Sequence, residues 1–345
     1  MSDSVHRYTL ILGSYKELTD VGVVTLETNG LQGKLTEYPA LSAGQGPTWI
    51  SSGTEKNTVL VYDASEIRLY SFTRAEDGSV KDWTCRSCIQ PPGWKRIVHG
   101  GLTADDSIVM AVDYGASQAR TFGIENKDLS SELAISTVEY PGQGGYAPLQ
   151  YAAHPHGIYE HPSKPWVYVS DMGADLVHFH LLEPSGKLEH QASFATPPCS
   201  GPRHLAIHPS GRALYTVNEI SLTISTFTID ETDGSLTLCD QDPSILPSHI
   251  DLKNPGFNKP DGSRGMQGAE ILIPRDGKHV YASYRDSPNN QEDGIAVFEI
   301  EQTPPYRLKP DSLQCISTQG HWPRGMQFEP QEEGLLAVAN QESHS

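Results

Sequence analysis

The stretch GPRHLAIHPSGRALYTVNE, Gly201–Glu219, decides the fold. Pro202 and Pro209 enclose a short apolar run that reads as a strand. PSGR supplies turn chemistry, and ALYTVN returns as a second apolar strand. The frame recurs along the chain. Pro155/Pro162 and Pro323/Pro330 repeat the spacing, and Gln267/Pro274 keeps it with Gln in the first place. Aligned on this frame, six units begin at GPTWISS, VHGGLTA, HPHGIYE, GPRHLAI, MQGAEIL and WPRGMQF, roughly 50 residues apart.

Each unit continues in the same style. A third segment alternates apolar and polar residues (TISTFTID, GIAVFEIE), a polar turn follows (ETDGS, EPSGK), and a fourth segment closes the unit (LTLCD, LEHQA). Four antiparallel strands per unit, repeated about an axis, describe a β-propeller blade. Residues 8–40 supply a second, third and fourth strand without a first, and the last unit stops after its second strand. The expected fold class is all-β, a seven-bladed β-propeller forming a single domain over residues 1–345. Its last blade is expected to be incomplete because the chain ends early, leaving an exposed edge.

Bulk properties narrow the function. The 345 residues carry a formal net charge of -18, which opposes nucleic acid as a partner. The N-terminus lacks a basic region followed by an apolar stretch, and no apolar run is long enough for a transmembrane helix, so neither export nor a membrane is expected. Five cysteines and no Asn-x-Ser/Thr fit a reducing, cytoplasmic location. Cys85 and Cys88 form a lone CxxC and read as two thiols on a surface hairpin, since no second pair completes a zinc site.

The position after the first proline varies: His156, Arg203, Gly268 and Arg324. If this strand is innermost, those residues ring one mouth of the central channel. A second ring falls at the end of the second strand: Asp63, Asp113, Asp171, Asn218, Tyr284 and Asn340, followed in three units by Glu219, Arg285 and Gln341. Polar residues at strand ends read as turn formers and caps of backbone amides. Glu219 and Arg285 depart from that reading, because the other units carry no charge there. His154/His156 and His178/His180 are i,i+2 pairs on shared strand faces, but no further ligands follow at metal-binding spacing. No metal and no cofactor are expected. PGQGGY at 141–146 precedes no helix pattern and reads as a loop rather than a phosphate cradle.

With these residues in view, the chain resembles the lactonase family of seven-bladed β-propellers, which includes propeller-type 6-phosphogluconolactonases and 3-carboxy-cis,cis-muconate lactonizing enzymes. HPHGIYEHPSKPWVYVSDMGAD, GPRHLAIHPSGRALYTVNE, GAEILIPRDGKHVYASYRDS and WPRGMQFEPQEEGLLAVANQES carry the resemblance. It covers essentially the whole chain and is strongest from about 150 to 341. It implies an active site built from a histidine, two arginines and a glutamate, which fall on His156, Arg203, Glu219 and Arg285. Other propeller lactonases bind calcium through Asp, Asn and Glu, which makes the Asp171/Asn218 ring the rival chemistry.

These residue types suit lactone chemistry. Arginine grips carboxylate or phosphate with two donors and stabilises developing negative charge. Histidine moves a proton near neutrality. Arg203 and Arg285 are therefore assigned to the anion, His156 to the proton, and Glu219 to orienting the histidine or acting as a second base. Arg324 is assigned to substrate binding, widening the positive patch. The resulting expectation is a lactonase hydrolysing an anionic sugar lactone, 6-phosphogluconolactonase-like. The alternatives are a 3-carboxy-cis,cis-muconate cycloisomerase acting on a small anionic dicarboxylate with the same residues, and a propeller that only binds. The oligomeric state is left open.

Overall fold

Period-two alternation, punctuated by Gly, Pro, Asp and Ser turns, yields antiparallel meanders throughout the described residues. The structure is a computed structural model and describes residues 6–14, 19–28, 33–239, 242–248, 250, 265–287, 293–331 and 333–343. The chain forms two compact units, Met1–Thr137 with Ser185–Lys187, and Val138–Pro184 with Leu188–Ser345.

The first unit contains a three-stranded sheet of β1 (His6–Leu12), β2 (Asp20–Thr28) and β3 (Gly33–Ser42). A four-stranded sheet follows, of β4 (Trp49–Ser52), β5 (Thr58–Tyr62), β6 (Ile67–Arg74) and β7 (Val80–Ile89). Next come β8 (Ile97–Leu102), β9 (Ile108–Asp113), β10 (Gln118–Glu125) and β11 (Asp128–Leu129). Leu60, Tyr62 and Leu69 from one of these sheets pack against Val109, Ala111 and Phe122 from the next. Burying such side chains stabilises each by roughly 1.5–3 kcal/mol relative to exposure.

β12 (Ser136–Glu139) leads into the second unit. There the sheets are β13 (Pro155–Glu160) to β16 (Leu188–Ala195) through β14 (Trp166–Asp171) and β15 (Leu176–Leu182), then β17 (Pro202–Ile207), β18 (Ala213–Asn218), β19 (Ile224–Ile229) and β20 (Leu236–Leu238). β21 (Gln267–Leu272), β22 (His279–Arg285), β23 (Gly294–Glu299) and β24 (Gln314–Ser317) form the third, and β25 (Pro323–Phe328) pairs with β26 (Leu336–Asn340) in a two-stranded sheet. Tyr168 and Phe179 pack on Leu214 and Phe227 between two of these sheets, and Tyr215 and Val217 pack on Val280 and Phe298 between the next two.

The repeated proline opens the first strand of its sheet. Each such strand pairs on one side only, so the missing N–H costs no ladder bond. The slot behind it is a β-bulge. Pro155 faces Asp171 and Gly157 faces Ser170, leaving His156 as the extra residue; Arg203 and Arg324 are extra in the same way, as is Val98 in the first unit. A bulged residue leaves the pairing ladder and its side chain is re-aimed. That is why the slot varies while the frame persists. Second-strand hydroxyls then tie one sheet to the next: Ser170 donates to the Arg203 carbonyl (2.5 Å) and Ser283 to the Pro323 carbonyl (3.1 Å).

Three of the strand-end residues, Asp63, Asp113 and Asp171, cap backbone amides, as their residue types suggest. Asp171 Oδ1 accepts from the amides of His154, Gly173 and Ala174 at 2.7–3.0 Å. One member is corrected. Backbone pairing sets Arg285, not Tyr284, opposite Gln267, the place that Asn218 holds opposite Pro202. Pro202 and Asn218 lie 16 positions apart and Gln267 and Arg285 lie 18, so this hairpin takes up two more residues, one beyond the extra residue of PRDGK over PSGR. The capping work passes to Asp293, which accepts from Ser287 N (2.8 Å) and Trp322 N (2.6 Å).

In the first unit Asp113 accepts four amides, from Lys95 (2.7 Å) and from Arg96, Gly115 and Ala116 (2.9 Å each). Asp113→Ala is expected to destabilise the protein by roughly 2–4 kcal/mol, because buried amides lose their acceptor, with Asp113→Asn recovering part of the loss. Denaturant unfolding measures this, and an Ala variant as stable as the parent would refute the capping role.

Candidate active site

The charged residues that depart from the capping pattern meet in the second unit. Glu219 follows β18 directly, and its backbone is held at both ends: its N–H donates to Gly201 O (2.8 Å) and its carbonyl accepts from Gly268 N (3.1 Å). Glycine at 268 is required by this approach, since a Cβ there would lie 2.9 Å from Asn218 O. So fixed, the Glu219 carboxylate takes one guanidinium on each oxygen. Oε2 lies 2.9 Å from Arg203 Nε, and Oε1 lies 3.1 Å from Arg285 Nη2. Arg203 Nη1 also donates to Ala269 O (2.7 Å). The Arg285 guanidinium lies over the Trp322 ring, 4.9 Å from its centroid. All three charged residues are buried, at 3%, 7% and 2% exposure for Arg203, Glu219 and Arg285.

Two imidazoles adjoin this cluster. His156 and His204 meet edge to face, with ring centroids 5.2 Å apart. His204 Nδ1 lies 2.9 Å from Glu270 Oε1, and the same oxygen accepts from Ile271 N at 3.0 Å. Arg203 Nη1 is 3.3 and 3.2 Å from the two His204 ring nitrogens, so it lies against the ring rather than in line with one lone pair. Burial holds His156 well below the usual histidine range, aided by the charge of Arg203, by His204 and by Arg324. Burial and the charges of Arg203, Arg324 and Arg285 do the same to His204. A neutral His204 donates its Nδ1 proton to Glu270. Burial, with the Glu270 charge behind it, pushes the Tyr159 phenol well above its ordinary pKa, so it too is neutral.

Of the residues singled out in the sequence, Arg203, Glu219 and Arg285 are in direct contact. His156 joins them through His204 and through the field of Arg203. Arg324 is partly exposed, and its charge acts on both imidazoles. One expectation is corrected: Glu219 bridges the two arginines, and the carboxylate–imidazole pair is made by Glu270 and His204. These two were missed. His204 reads as the first residue of an apolar run, and Glu270 lies in the bulge of β21, which falls one position later than in its neighbours, where Ala269 and Glu270 together face Ser283.

The rival calcium chemistry is not supported by the donors. Asp171 Oδ1 is taken by three amides, and Asn218 Nδ2 donates to Thr223 and Ser225 at 2.9 Å. Among the described residues no group of three or more His, Cys, Asp or Glu side chains is arranged to hold a metal ion. His154 packs its ring edge-on against Tyr151. Cys85 and Cys88 are exposed free thiols on β7. Among the described residues no helix is long and apolar enough to cross a membrane.

The chain is 25% identical over 342 residues to the 6-phosphogluconolactonase of Bacillus subtilis, an alignment covering 98% of this chain and 89% of that one. It is 31% identical over 180 residues to the 6-phosphogluconolactonase of Erwinia tasmaniensis, covering 52% of this chain and 47% of that protein. The fold matches the periplasmic gluconolactonase of Pseudomonas aeruginosa with a TM-score of 0.79 at 20% identity, covering 98% and 90% of the two chains. The model of the family "Lactonase, 7-bladed beta-propeller" matches residues 9–345. The chain therefore belongs to the seven-bladed β-propeller lactonase family.

Proposed function

We propose that this protein is a lactonase that hydrolyses an anionic sugar lactone, with 6-phosphogluconolactone as the first substrate to test. The observation that carries the reading is the pair of guanidiniums locked on one carboxylate beside a neutral imidazole. Arg203, Arg285 and Arg324 bring three positive charges and Glu219 and Glu270 two negative ones, so the site is net positive in a chain of net charge -18. That suits capture of a phosphate or carboxylate. The names of the quoted relatives, a 6-phosphogluconolactonase and a gluconolactonase, favour ring opening over the cycloisomerase alternative.

In this reading His156 takes a proton from water as its oxygen bonds to the lactone carbonyl carbon. The carbonyl becomes a tetrahedral oxyanion, stabilised by an arginine. Collapse breaks the ring C–O bond, and the proton on His156 passes to the departing alkoxide, which restores the neutral imidazole. Glu219 holds the two guanidiniums in place, and Glu270 holds His204 against His156. Preset donors of this kind avoid reorganisation during the reaction.

Arg203→Ala, Arg285→Ala and His156→Gln are each expected to lower kcat/KM for 6-phosphogluconolactone by about 10²-fold or more. The assay is proton release with spontaneous hydrolysis subtracted. An active protein indifferent to Arg203→Ala and His156→Gln would place the chemistry elsewhere, and a protein inactive on a lactone panel would favour the binding-only reading.

The pH profile follows from the direction of the His156 shift. His156 must be neutral to accept a proton, so kcat/KM declines as pH falls through its pKa. Burial and the nearby Arg203 and Arg324 charges hold that pKa down, so the acid limb is expected well below pH ~6.5. Arg324→Gln removes one repelling cation and is expected to move the limb upward, whereas a limb unmoved by that change would remove His156 as the titrating base.

A further inference from the structure

β16 forms the edge of its sheet, and its pairing with β15 slips once. Phe179 faces Ala192 and His180 faces His190, which leaves Gln191 as an extra residue. The bulge changes which side chains share a face. His178 now stands opposite Ser193, and His180 opposite His190. Without the slip, His190 and Ser193 would point to opposite faces of the strand.

The group is braced from within. Asp171 is fully buried, its Oδ1 is taken by three amides, and its Oδ2 faces His178 Nε2 at 3.2 Å. Tyr140 stacks on the His178 ring, with centroids 4.2 Å apart and planes 11° from parallel, and its hydroxyl contacts His180 Nε2 at 3.0 Å. The other ring nitrogen, His178 Nδ1, lies 2.8 Å from Ser193 Oγ, and His190 Nε2 lies 2.9 Å from the same oxygen. Asp171 and His178 are buried, whereas Ser193 is exposed. A carboxylate can only accept, so the His178 proton resides on Nε2 and Nδ1 presents its lone pair to the Ser193 hydroxyl. Carboxylate, imidazole and hydroxyl thus stand in the order of a serine nucleophile relay, with the two ring nitrogens exchanged.

We propose that Ser193, activated by His178 and Asp171, is the nucleophile of a second, esterase-like site that takes small activated carboxylic esters. As Ser193 Oγ bonds to the acyl carbon, its proton passes to His178 Nδ1, and collapse expels the alcohol, which takes that proton. Water then attacks the acyl-serine with His178 as base, and the carboxylic acid leaves as Oγ–H re-forms. This site uses none of the residues assigned to the lactone.

Diisopropyl fluorophosphate tests it on the full chain. Oγ displaces fluoride from phosphorus, the proton departs through His178, and the adduct is located by fragmenting the tryptic peptide that begins at Leu188. The expected result is a single adduct on Ser193, absent in Ser193→Ala. Labelling is expected to be at least about tenfold slower in His178→Phe, which keeps a ring for Tyr140, and in Asp171→Asn, which keeps Oδ1 for the amides. Melting curves identify any variant that fails to fold, and the folded His178 or Asp171 variant then decides. Hydrolysis of 6-phosphogluconolactone by Ser193→Ala should equal the parent. No adduct on Ser193, or equal labelling rates in the parent and in a folded His178→Phe, would overturn the proposal.

Discussion

The structure depends on a bulge placed one residue into the first strand of a sheet. It recurs behind Pro155, Pro202 and Pro323, and behind Ile97 in the first unit. Proline opens three of these strands because an edge strand does not need that N–H. The bulge then releases one side chain from the ladder without breaking the pairs beyond it. The apolar frame is thereby free to repeat while the released position takes His, Arg or Arg. In β21 the same irregularity falls one residue later, where Ala269 and Glu270 together face Ser283.

Arg203, released by its bulge, meets Glu219 and Arg285 in an arrangement that stability alone does not explain. Two buried arginines on one buried glutamate pay for desolvation and gain little net stability over apolar packing. The cost is partly met by Trp322 under Arg285 and by the Ala269 carbonyl on Arg203. The result is a positive region in a chain whose overall charge repels anions. Burial first, and then the field of these cations, hold His156 and His204 neutral, so the cations that would hold an anionic substrate also help keep the base ready to accept a proton.

Most of the fold was legible because each blade repeats the same turn chemistry and the same proline spacing. Glu219 and Arg285 were legible because they put charge where the other units carry neutral residues, and Arg203 because it fills the variable slot behind the repeated proline. What escaped was pairing. Nothing in PRH distinguishes His204 from a core residue, and the partner of Glu219 cannot be read from a linear chain. The one-residue difference between PSGR and PRDGK was visible, but the second residue that brings Arg285 opposite Gln267 shows only in the ladder. The His178/His180 pair was noticed as a shared face, but the slip at Gln191 that brings His190 and Ser193 onto it depends on hydrogen bonding between strands.

The central claim is that Arg203, Arg285 and His156 face one bound anion. A crystal structure of the protein with 6-phosphogluconate, the product of the proposed hydrolysis, tests this most directly. The account predicts a phosphate or carboxylate of the ligand against the Arg203 and Arg285 guanidiniums, with the C1 carboxylate next to His156. A ligand bound elsewhere, with Glu219 still closing both guanidiniums off, would contradict it.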